Sequence, residues 1–426
     1  MVTVSSITVN EMGKRMLKNK RLFLASIILI LTLVGSAACI NLNRNRDNRS
    51  MRGEENRNSQ IKYSQQNTNK DNNAENPSTA KPVKNDVKVK GVYVTGTSAG
   101  NKKYMEKLVD LINTTELNAV VIDVKEDGRV NYLSQIKSVK DIGAHHQLYD
   151  VDEVLKLLHD NGIYVIGRIV CFRDNYLAQK RADLAVKRKN GSVWRENGSI
   201  AWTNPYNREV WKYNIDIAKE AVEKGFDEIQ FDYVRFPAVS DKEVNYGENT
   251  PPKADAVSGF LKEAAVEINK LGVPVSADIF AIVCETPGDR EGIGQVLEGV
   301  GMDIDCISPM IYPSHYANAS NGMMGNGVGQ SINGIMFKAP DLKPYEVVYN
   351  VLLKTKERIS KVDGYRAKVR PYLQDFTASY LLKGYYQTYG PKQVRQQIKA
   401  VYDAGYEEWI LWDAANTYTE SAFLKE

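Results

Sequence analysis

After residue 89 the chain alternates between short apolar runs and longer segments in which apolar residues recur every three or four positions. Eight of the apolar runs predict strands, at residues 91–95, 119–124, 164–172, 228–233, 273–280, 306–312, 369–376 and 408–413. The amphipathic segments between them predict helices at residues 102–115, 151–161, 208–224, 254–271, 292–300, 345–362 and 391–404. Several of these helices stop at a glycine directly before the next strand, as at Gly162 and Gly225.

Regular alternation of strand and helix over residues 89–426 predicts a single α/β domain with a closed (β/α)8 barrel. An open, doubly wound sheet is the alternative. No glycine-rich phosphate loop follows the first predicted strand, which weakens that alternative. We expect the last helix, after residue 413, to be short or missing.

Two connections that leave strand ends are unusually long, at residues 172–206 and 313–344. In a (β/α)8 barrel, such connections gather on the face where the strands end, and this face carries the functional site. The first connection contains Trp194 and Trp202, and the second contains His315. We therefore expect these side chains near the site.

Residues 1–40 have the build of an export signal, with basic residues ahead of the apolar run 22–34 and small residues after it. This pattern predicts a cleavable signal peptide or, without cleavage, a membrane anchor. Lipidation of Cys39 is a lesser option, because Ser36 stands where a leucine-like residue is usual. In each case we expect the domain at the cell surface or outside the cell.

Residues 41–88 are rich in Asn, Arg, Lys, Gln and Ser and predict a disordered linker, because so few large apolar side chains cannot sustain a core. Residues 1–90 carry 16 Lys plus Arg against 7 Asp plus Glu, which leaves residues 91–426 with a net charge of −5. The linker could stay near anionic lipid or wall polymer, or could be only a soluble spacer. The folded part has no charge pattern typical of nucleic-acid binding.

Three cysteines follow the leader: Cys171, Cys284 and Cys306. They form no close pair and have no metal-ligand spacing. We expect buried free thiols, with one disulfide as the alternative in an exported protein.

Polar and aromatic residues stand at the ends of most predicted strands, where inward positions would line the barrel mouth. They include Asp123, Arg168, Asp232, Arg235, Asp278, Tyr312, Gln374 and Trp412. A barrel core otherwise favours branched apolar side chains, so this set predicts a carboxylate-rich cleft with aromatic walls.

Each candidate also has a purely structural interpretation. Asp232 could form an ion pair with Arg168 or Arg235, and Asp123 could serve only to position its neighbours. Side chains alternate between the two faces of a strand, so Asp375 and Asp413 face the helices if Gln374 and Trp412 face inward. We therefore interpret Asp375 and Asp413 as structural. His315 could be a solvated loop residue, a substrate contact or a proton donor, and Trp412 could stack on a sugar or fill the core.

Two acids in an aromatic cleft suit glycoside cleavage, in which one acid protonates the leaving oxygen and a carboxylate stabilises the oxocarbenium-like centre. We predict Asp232 as the principal carboxylate and Asp278 as the acid, with Arg168 and Arg235 to orient them. Substrate contacts are predicted for Asp123, Trp194, Trp202, Tyr312, His315, Gln374 and Trp412. Neither a metal nor an organic cofactor is implied, and retention and inversion both stay open.

The sequence also resembles a glycoside hydrolase barrel family of bacterial surface and exported proteins, remotely similar to the α-amylase-like barrels. The resemblance runs from about residue 89 to the C-terminus. Its motifs are GVYVTG, VIDVKEDG, DLAVKRKNGSVWRENG, WTNPYNREVW, FDEIQFDYVRFP, SADIF, SPMIYPSHY and RPYLQDF.

In the amylase-like barrels the aspartate of the fourth strand is the nucleophile and an acid of the fifth strand protonates the leaving group. The resemblance therefore implies these roles for Asp232 and Asp278. The sequence departs from the amylase pattern in having Asp278 where that pattern has Glu, and Gln230 where it has Arg. A chitinase-like mechanism is rejected, because Val234 stands where that family has its catalytic Glu.

These observations predict an exported glycoside hydrolase that acts on a cell-wall or extracellular polysaccharide and is held at the membrane by its N-terminal segment or released. The alternative is a catalytically inactive barrel that binds polysaccharide and has a structural role at the cell surface. Glu126, Asp375 and His315 are the next candidates for the acid if Asp278 is not used.

Overall fold

The computed structural model describes residues 87–425. The predicted signal segment, almost all of the linker and Cys39 lie outside the described residues. Within the part of the chain that the structure covers, no helix combines the length and the apolar character needed to cross a membrane.

Eight parallel strands form the closed barrel that the sequence pattern predicts, and closure occurs where β1 pairs with both β2 and β8. Each strand is hydrogen-bonded to its neighbours in chain order. The strands are β1 Lys90–Val94, β2 Ala119–Glu126, β3 Tyr164–Val170, β4 Glu228–Asp232, β5 Val275–Phe280, β6 Cys306–Ile311, β7 Tyr372–Gln374 and β8 Trp409–Trp412.

Helices surround the barrel and return the chain to the start of each following strand. The helices that lead back to the next strand are α1 Lys102–Asn113, α2 Val151–Asp160, α3 Arg208–Lys224, α4 Lys253–Asn269, α5 Leu297–Val300, α6 Pro344–Ile359 and α7 Pro391–Asp403. Shorter helices in the connections are Gly96–Ala99, Lys137–Ile142 and Asn175–Lys180. After β8 the described residues contain only a short 3₁₀ turn, Glu420–Ala422, in agreement with the predicted loss of the last helix.

The boundaries of α3 show how the sequence sets such an element. The side chain of Asn207 accepts a hydrogen bond from the backbone N–H of Glu209 and caps the first turn. Gly225 ends the helix with φ of +114°, a conformation that favours glycine. Asp227 then receives the N–H of Val165 at the opposite end of the barrel from the mouth.

Two predicted elements differ from the structure for identifiable reasons. The seventh strand is interrupted after Lys368–Val369, because Pro371 has no N–H to donate to a neighbouring strand. The helix predicted from residue 292 begins only at Leu297, since Gly292 and Gly294 both have positive φ and interrupt helical backbone.

The barrel interior combines a buried apolar cluster, which includes Val121, Ile166 and Ile410, with layers of polar side chains. At its lower end, Arg370 donates to Glu228 and to Glu408, each at 2.8 Å. One layer higher, the Tyr372 hydroxyl donates to Gln230 at 2.6 Å. Buried charges of this kind are stable only when every member of the network has a partner. Each of these side chains is therefore held in place by its hydrogen bonds to the others.

The long connections fold into small elements over the mouth of the barrel. After β3, the chain forms a hairpin from Arg195–Glu196 and Ile200–Ala201. After β6, Gln330–Ile332 pairs with Ile335–Phe337. The predicted free thiols are confirmed, since Cys171, Cys284 and Cys306 are buried and unpaired.

Candidate active site

Arg168 occupies the centre of the barrel mouth. Its Nε and Nη2 donate to Oδ2 of Asp232 at 3.0 and 2.5 Å, and its Nη1 donates to Oδ1 of Asp123 at 2.5 Å. Its Nε also lies 3.8 Å from Oδ2 of Asp278. One planar guanidinium thus faces three carboxyl groups, an arrangement that the rigid donor fork of arginine suits.

The strand register brings these groups together. Asp123 is paired with Arg168 across β2 and β3, and Asp232 is paired with Val170 across β3 and β4. Side chains alternate across each strand, so residues of matching parity point into the barrel at similar heights. The inward positions near the carboxyl ends of four strands therefore converge on one guanidinium.

Asp232 is held from two sides. Arg168 binds its Oδ2, and the backbone N–H of Tyr233 donates to its Oδ1 at 2.5 Å. Tyr233 has φ of +49°, an uncommon conformation for a residue with a side chain, so the chain turns directly after Asp232. These donors complement a carboxylate anion in a fixed orientation.

Asp278 has a different environment. It is buried, its Oδ1 has no hydrogen-bond partner among the described residues, and its only close cation is Arg168. Burial raises the pKa of this carboxyl well above its ordinary value, and the charge of Asp232 raises it further, while Arg168 opposes the shift. Asp278 is therefore suited to carry a proton at a pH where an ordinary aspartate has lost it.

A second pair of acids flanks Arg168 on the opposite side. The hydroxyl of Tyr93 donates to Oδ2 of Asp123 at 2.5 Å, so both oxygens of Asp123 have partners. Asp123 raises the pKa of the Glu126 carboxyl well above its ordinary value, and burial adds to the shift. Glu126 is thus another group that can hold a proton close to the site.

Aromatic rings form a wall beside these acids. The ring centroid of Tyr312 lies 5.6 Å from that of Trp412 and 5.0 Å from that of His315, and Phe376 lies 5.5 Å from Trp412. Trp412 and Phe376 are half-buried, which leaves ring surface open to the cleft. Burial lowers the pKa of His315 to about 4, so its imidazole is neutral over most of the pH range.

Three predicted contact residues are packed into the fold. Trp202 is 0% exposed and Trp194 is also buried, because the hairpin after β3 folds them into the core. Gln374 is buried, accepts hydrogen bonds from Ser314, and donates to Asp341. The prediction that these three side chains contact sugar therefore disagrees with their placement.

Of the two arginines that could pair with Asp232, Arg235 is not the one that binds it. Arg168 takes that role, while the guanidinium of Arg235 donates to the carbonyl of Phe236 and lies 4.8 Å from the ring centroid of Trp202. Asp375 and Asp413 face away from the mouth, as parity predicts. They accept hydrogen bonds from the segment after β8.

Sequence reasoning missed Tyr93 and Phe376. Tyr93 is the inward residue near the end of β1, and Phe376 follows β7. The rule that selected polar residues at strand ends would have found both if it had been applied to aromatic residues of the first and seventh strands. Tyr233 and Arg173 carried no such signal, because their positions depend on how the loops turn.

Within residues 87–425, no group of three or more His, Cys, Asp or Glu side chains is arranged to hold a metal ion. The carboxylates at the mouth are instead bound to arginine, tyrosine and backbone donors.

Comparison with protein families gives one match, to a family described as "Putative glycosyl hydrolase domain", which covers residues 91–418. No curated protein sequence matches the chain.

Solved structures include several that are similar. The glycoside hydrolase domain of PgaB (BpsB) from Bordetella bronchiseptica is 13% identical, with a TM-score of 0.54, and the match covers 76% of this chain and 94% of that one. A hypothetical protein from Ruminiclostridium thermocellum ATCC 27405 is 48% identical, with a TM-score of 0.42, over 44% of this chain and 96% of that one. The spore cortex-lytic enzyme SleL of Bacillus megaterium QM B1551 is 13% identical, with a TM-score of 0.43, and the match covers 78% of this chain and 72% of that one.

Proposed function

The chain belongs to this glycosyl hydrolase family, and we propose that it is an exported glycoside hydrolase that cleaves a cell-wall or extracellular polysaccharide with Asp232 as nucleophile and Asp278 as general acid. The observation that carries the assignment of roles is the contrast between the two carboxyl groups around Arg168. Asp232 receives donors on both oxygens, whereas Asp278 is buried with one oxygen unpartnered.

This contrast between the two carboxyl groups suits a reaction that needs one carboxylate nucleophile and one protonated acid. In the first step, Asp232 attacks the anomeric carbon while the bond to the leaving oxygen breaks, and Asp278 transfers its proton to that oxygen. In the second step, Asp278 takes a proton from water while the water oxygen attacks the anomeric carbon and the bond from that carbon to Asp232 breaks, which releases the sugar and restores both groups. Arg168 orients the carboxylate of Asp232 for attack through its two hydrogen bonds to Oδ2.

The separation of the carboxyl groups favours retention of configuration. Oδ2 of Asp232 lies 3.0 Å from Nε of Arg168, and Oδ2 of Asp278 lies 3.8 Å from the same atom. The two oxygens are therefore at most about 7 Å apart, which excludes most of the 6.5–9.5 Å range of inverting enzymes. We propose a retaining mechanism with a covalent glycosyl intermediate on Asp232.

The aromatic wall supports sugar binding next to these acids. Trp412 and Phe376 present half-buried rings, and apolar faces of pyranose rings pack on such surfaces. Tyr312 lies under the wall, and its hydroxyl pKa is raised by burial and by the nearby Asp278. A sugar at this wall would lie with its anomeric carbon near Asp232.

The test of the enzymatic proposal is the release of reducing ends from a panel of wall and capsular polysaccharides. We expect turnover by the wild type and its loss in Asp232→Asn. The matched control is Asp216→Asn, which changes an aspartate on the outer side of α3 that is paired only with Lys212. Polysaccharide binding without turnover in all three proteins would support the alternative, a barrel that binds but does not cleave.

Export is a separate part of the proposal and is supported by the basic and apolar leader at residues 1–40. Fractionation of cells that produce the tagged full chain should place it in the membrane or extracellular fraction. A chain that lacks residues 1–40 should remain in the cytoplasm. Cytoplasmic location of the full chain would contradict export without affecting the assignment of the catalytic residues.

A further inference from the structure

Next to Asp232 lies a group of three side chains that the proposed reaction does not use. Arg173 follows β3, and Tyr233 and Arg235 follow β4, so all three lie where these strands end. We propose that this arginine–tyrosine cluster is an anion-binding subsite that recognises a carboxylate on the bound sugar. The substrate would then be an acidic polysaccharide.

Arg235 is a buried cation without a carboxylate partner among the described residues. It is 2% exposed, and its one hydrogen bond in that part of the chain goes to the carbonyl of Phe236 at 3.0 Å. Its guanidinium lies 4.5 Å from the ring centroid of Phe280 and 5.2 Å from that of Tyr233. These aromatic rings offset part of the free-energy cost of burying the charge of Arg235. Most of its N–H groups still have no hydrogen-bond acceptor among the described residues.

Arg173 shows the same deficit of acceptors. Its Nε donates to Oε2 of Glu196 at 3.0 Å, and its Nη2 is buried with no hydrogen-bond partner among the described residues. The side chain is only 9% exposed, so bulk water does not fully replace the missing acceptor. Its guanidinium lies 5.3 Å from the ring centroid of Tyr233, on which Arg235 also lies.

The charges of the cluster favour the binding of one anion. Glu196 is paired with Arg173, whereas Arg235 forms no ion pair among the described residues and feels Glu196 and Asp232 only from longer distances. Burial lowers the pKa of Arg235, which reflects the cost of holding this cation without an anion. An added carboxylate would balance the charge and accept the free N–H groups.

A carboxylate on a sugar fits this cluster for geometric reasons. Its two coplanar oxygens match the donor fork of arginine, and the half-buried ring of Tyr233 reaches the surface beside the paired groups. Tyr233 directly follows Asp232, so the recognised group would lie on a sugar at or next to the cleaved bond. The carboxylate could belong to a uronic acid or to a lactyl ether, and the experiment separates these sources.

Identification of the polymer rests on the proposed function, but binding at the cluster can be measured without turnover. The probes are two matched pairs of oligosaccharides. One pair is a uronic acid hexasaccharide and its carboxyl-reduced form, and the other is a lactyl-bearing glycan fragment of peptidoglycan and a chitin oligosaccharide of equal length. Calorimetric titration gives the Kd of each probe, and reducing-end release is followed separately.

For the wild type we expect at least one acidic probe to bind about tenfold or more tightly than its neutral partner, as expected for a charge-assisted hydrogen bond. Arg173→Gln should abolish that preference. Arg235→Lys keeps the charge but loses the fork, and should reduce the preference. Lys224→Gln removes one positive charge at the far end of α3 and should leave it intact.

Equal affinity of the wild type for both members of each pair, including no measurable binding, would overturn the subsite. A preference that survives in folded Arg173→Gln would also overturn it, and circular dichroism establishes folding. If Arg235→Lys does not fold, the Arg173 variant alone decides. Selective binding without any release of reducing ends would confirm the subsite and count against the hydrolase mechanism, so the two failures are distinguishable.

Discussion

Asp232 and Asp278 share one nitrogen of Arg168, which lies 3.0 Å from Oδ2 of the first and 3.8 Å from Oδ2 of the second. The closer carboxylate also receives a backbone N–H, while the more distant one keeps a buried oxygen without a partner among the described residues. Burial and the nearby charge of Asp232 raise the pKa of Asp278, so two chemically identical side chains around one cation are suited to different roles.

Replacement of the nucleophile tests the first of these roles. We expect Asp232→Asn to lower kcat by about three to six orders of magnitude, because an amide cannot form the covalent intermediate. Reducing-end release measures the loss, with Asp216→Asn as the control on the outer side of α3. Proton NMR of the first product formed by the wild type should show retention of configuration, and inversion would contradict the covalent role of Asp232.

The raised pKa of Asp278 predicts the alkaline limb of the pH profile. The general acid must be protonated, so kcat/KM should fall as the pH rises through the pKa of Asp278. In Asp278→Asn this limb should disappear together with most of the activity. Full activity of this variant with an unchanged alkaline limb would identify another acid, and Glu126 is then the first candidate by its own raised pKa.

The same shift predicts that the stability of the fold also falls as the pH rises. Above about pH 4 the unfolded chain releases the proton of Asp278, whereas the folded protein keeps it, so the free energy of unfolding falls as the pH rises through this window. Asn at this position is neutral at every pH. We therefore expect Asp278→Asn to raise Tm by about 2 °C at pH 8 and by less at pH 4, measured by calorimetry, and an equal change at both values would refute the coupling.

Removal of the shared cation should destabilise the fold as well as the reaction. Arg168→Ala leaves Asp123 and Asp232 facing each other without their guanidinium, and we expect a loss of about 3–5 kcal/mol in the free energy of unfolding. Arg168→Lys should lose less, because it retains charge but not the fork. Urea denaturation measures both, and a loss below about 1 kcal/mol in the alanine variant would contradict a central role for this network.

Two tryptophans form a matched pair that separates binding from packing. Trp412 is half-buried in the wall, and Trp412→Ala should raise KM more than it lowers Tm. Trp202 is fully buried, and Trp202→Ala should cost about 3–5 kcal/mol of stability. Steady-state kinetics and thermal unfolding of both variants test this division, and the reverse pattern would show that the wall is not a sugar-binding surface.

His315 provides a negative test. Burial lowers its pKa to about 4, so the ring does not change charge between pH 5 and pH 8. His315→Gln should therefore leave the shape of the pH profile in this range unchanged, whatever it does to KM. A shifted limb in that profile would mean that His315 titrates during the reaction.

Much of the architecture could be predicted from the sequence, because apolar periodicity and helix ends are local signals. The bounds of α3 agree with the predicted helix at both ends, where Asn207 and Gly225 act within one turn of the backbone. The alternation of side chains along a strand also indicates which residues face inward, and this rule selects Asp123, Arg168, Asp232 and Asp278 as inward residues near the ends of their strands.

Tertiary structure alone decided which of these groups are partners. The choice of Arg168 instead of Arg235 for Asp232 depends on strand stagger and on the turn at Tyr233, which residues far apart in the chain determine together. Likewise, the burial of Trp202 results from a hairpin that folds over it. Periodicity is a property of each segment, whereas hydrogen bonds and burial require the packing of many segments at once, so the sequence determined the barrel and the tertiary structure decided its chemistry.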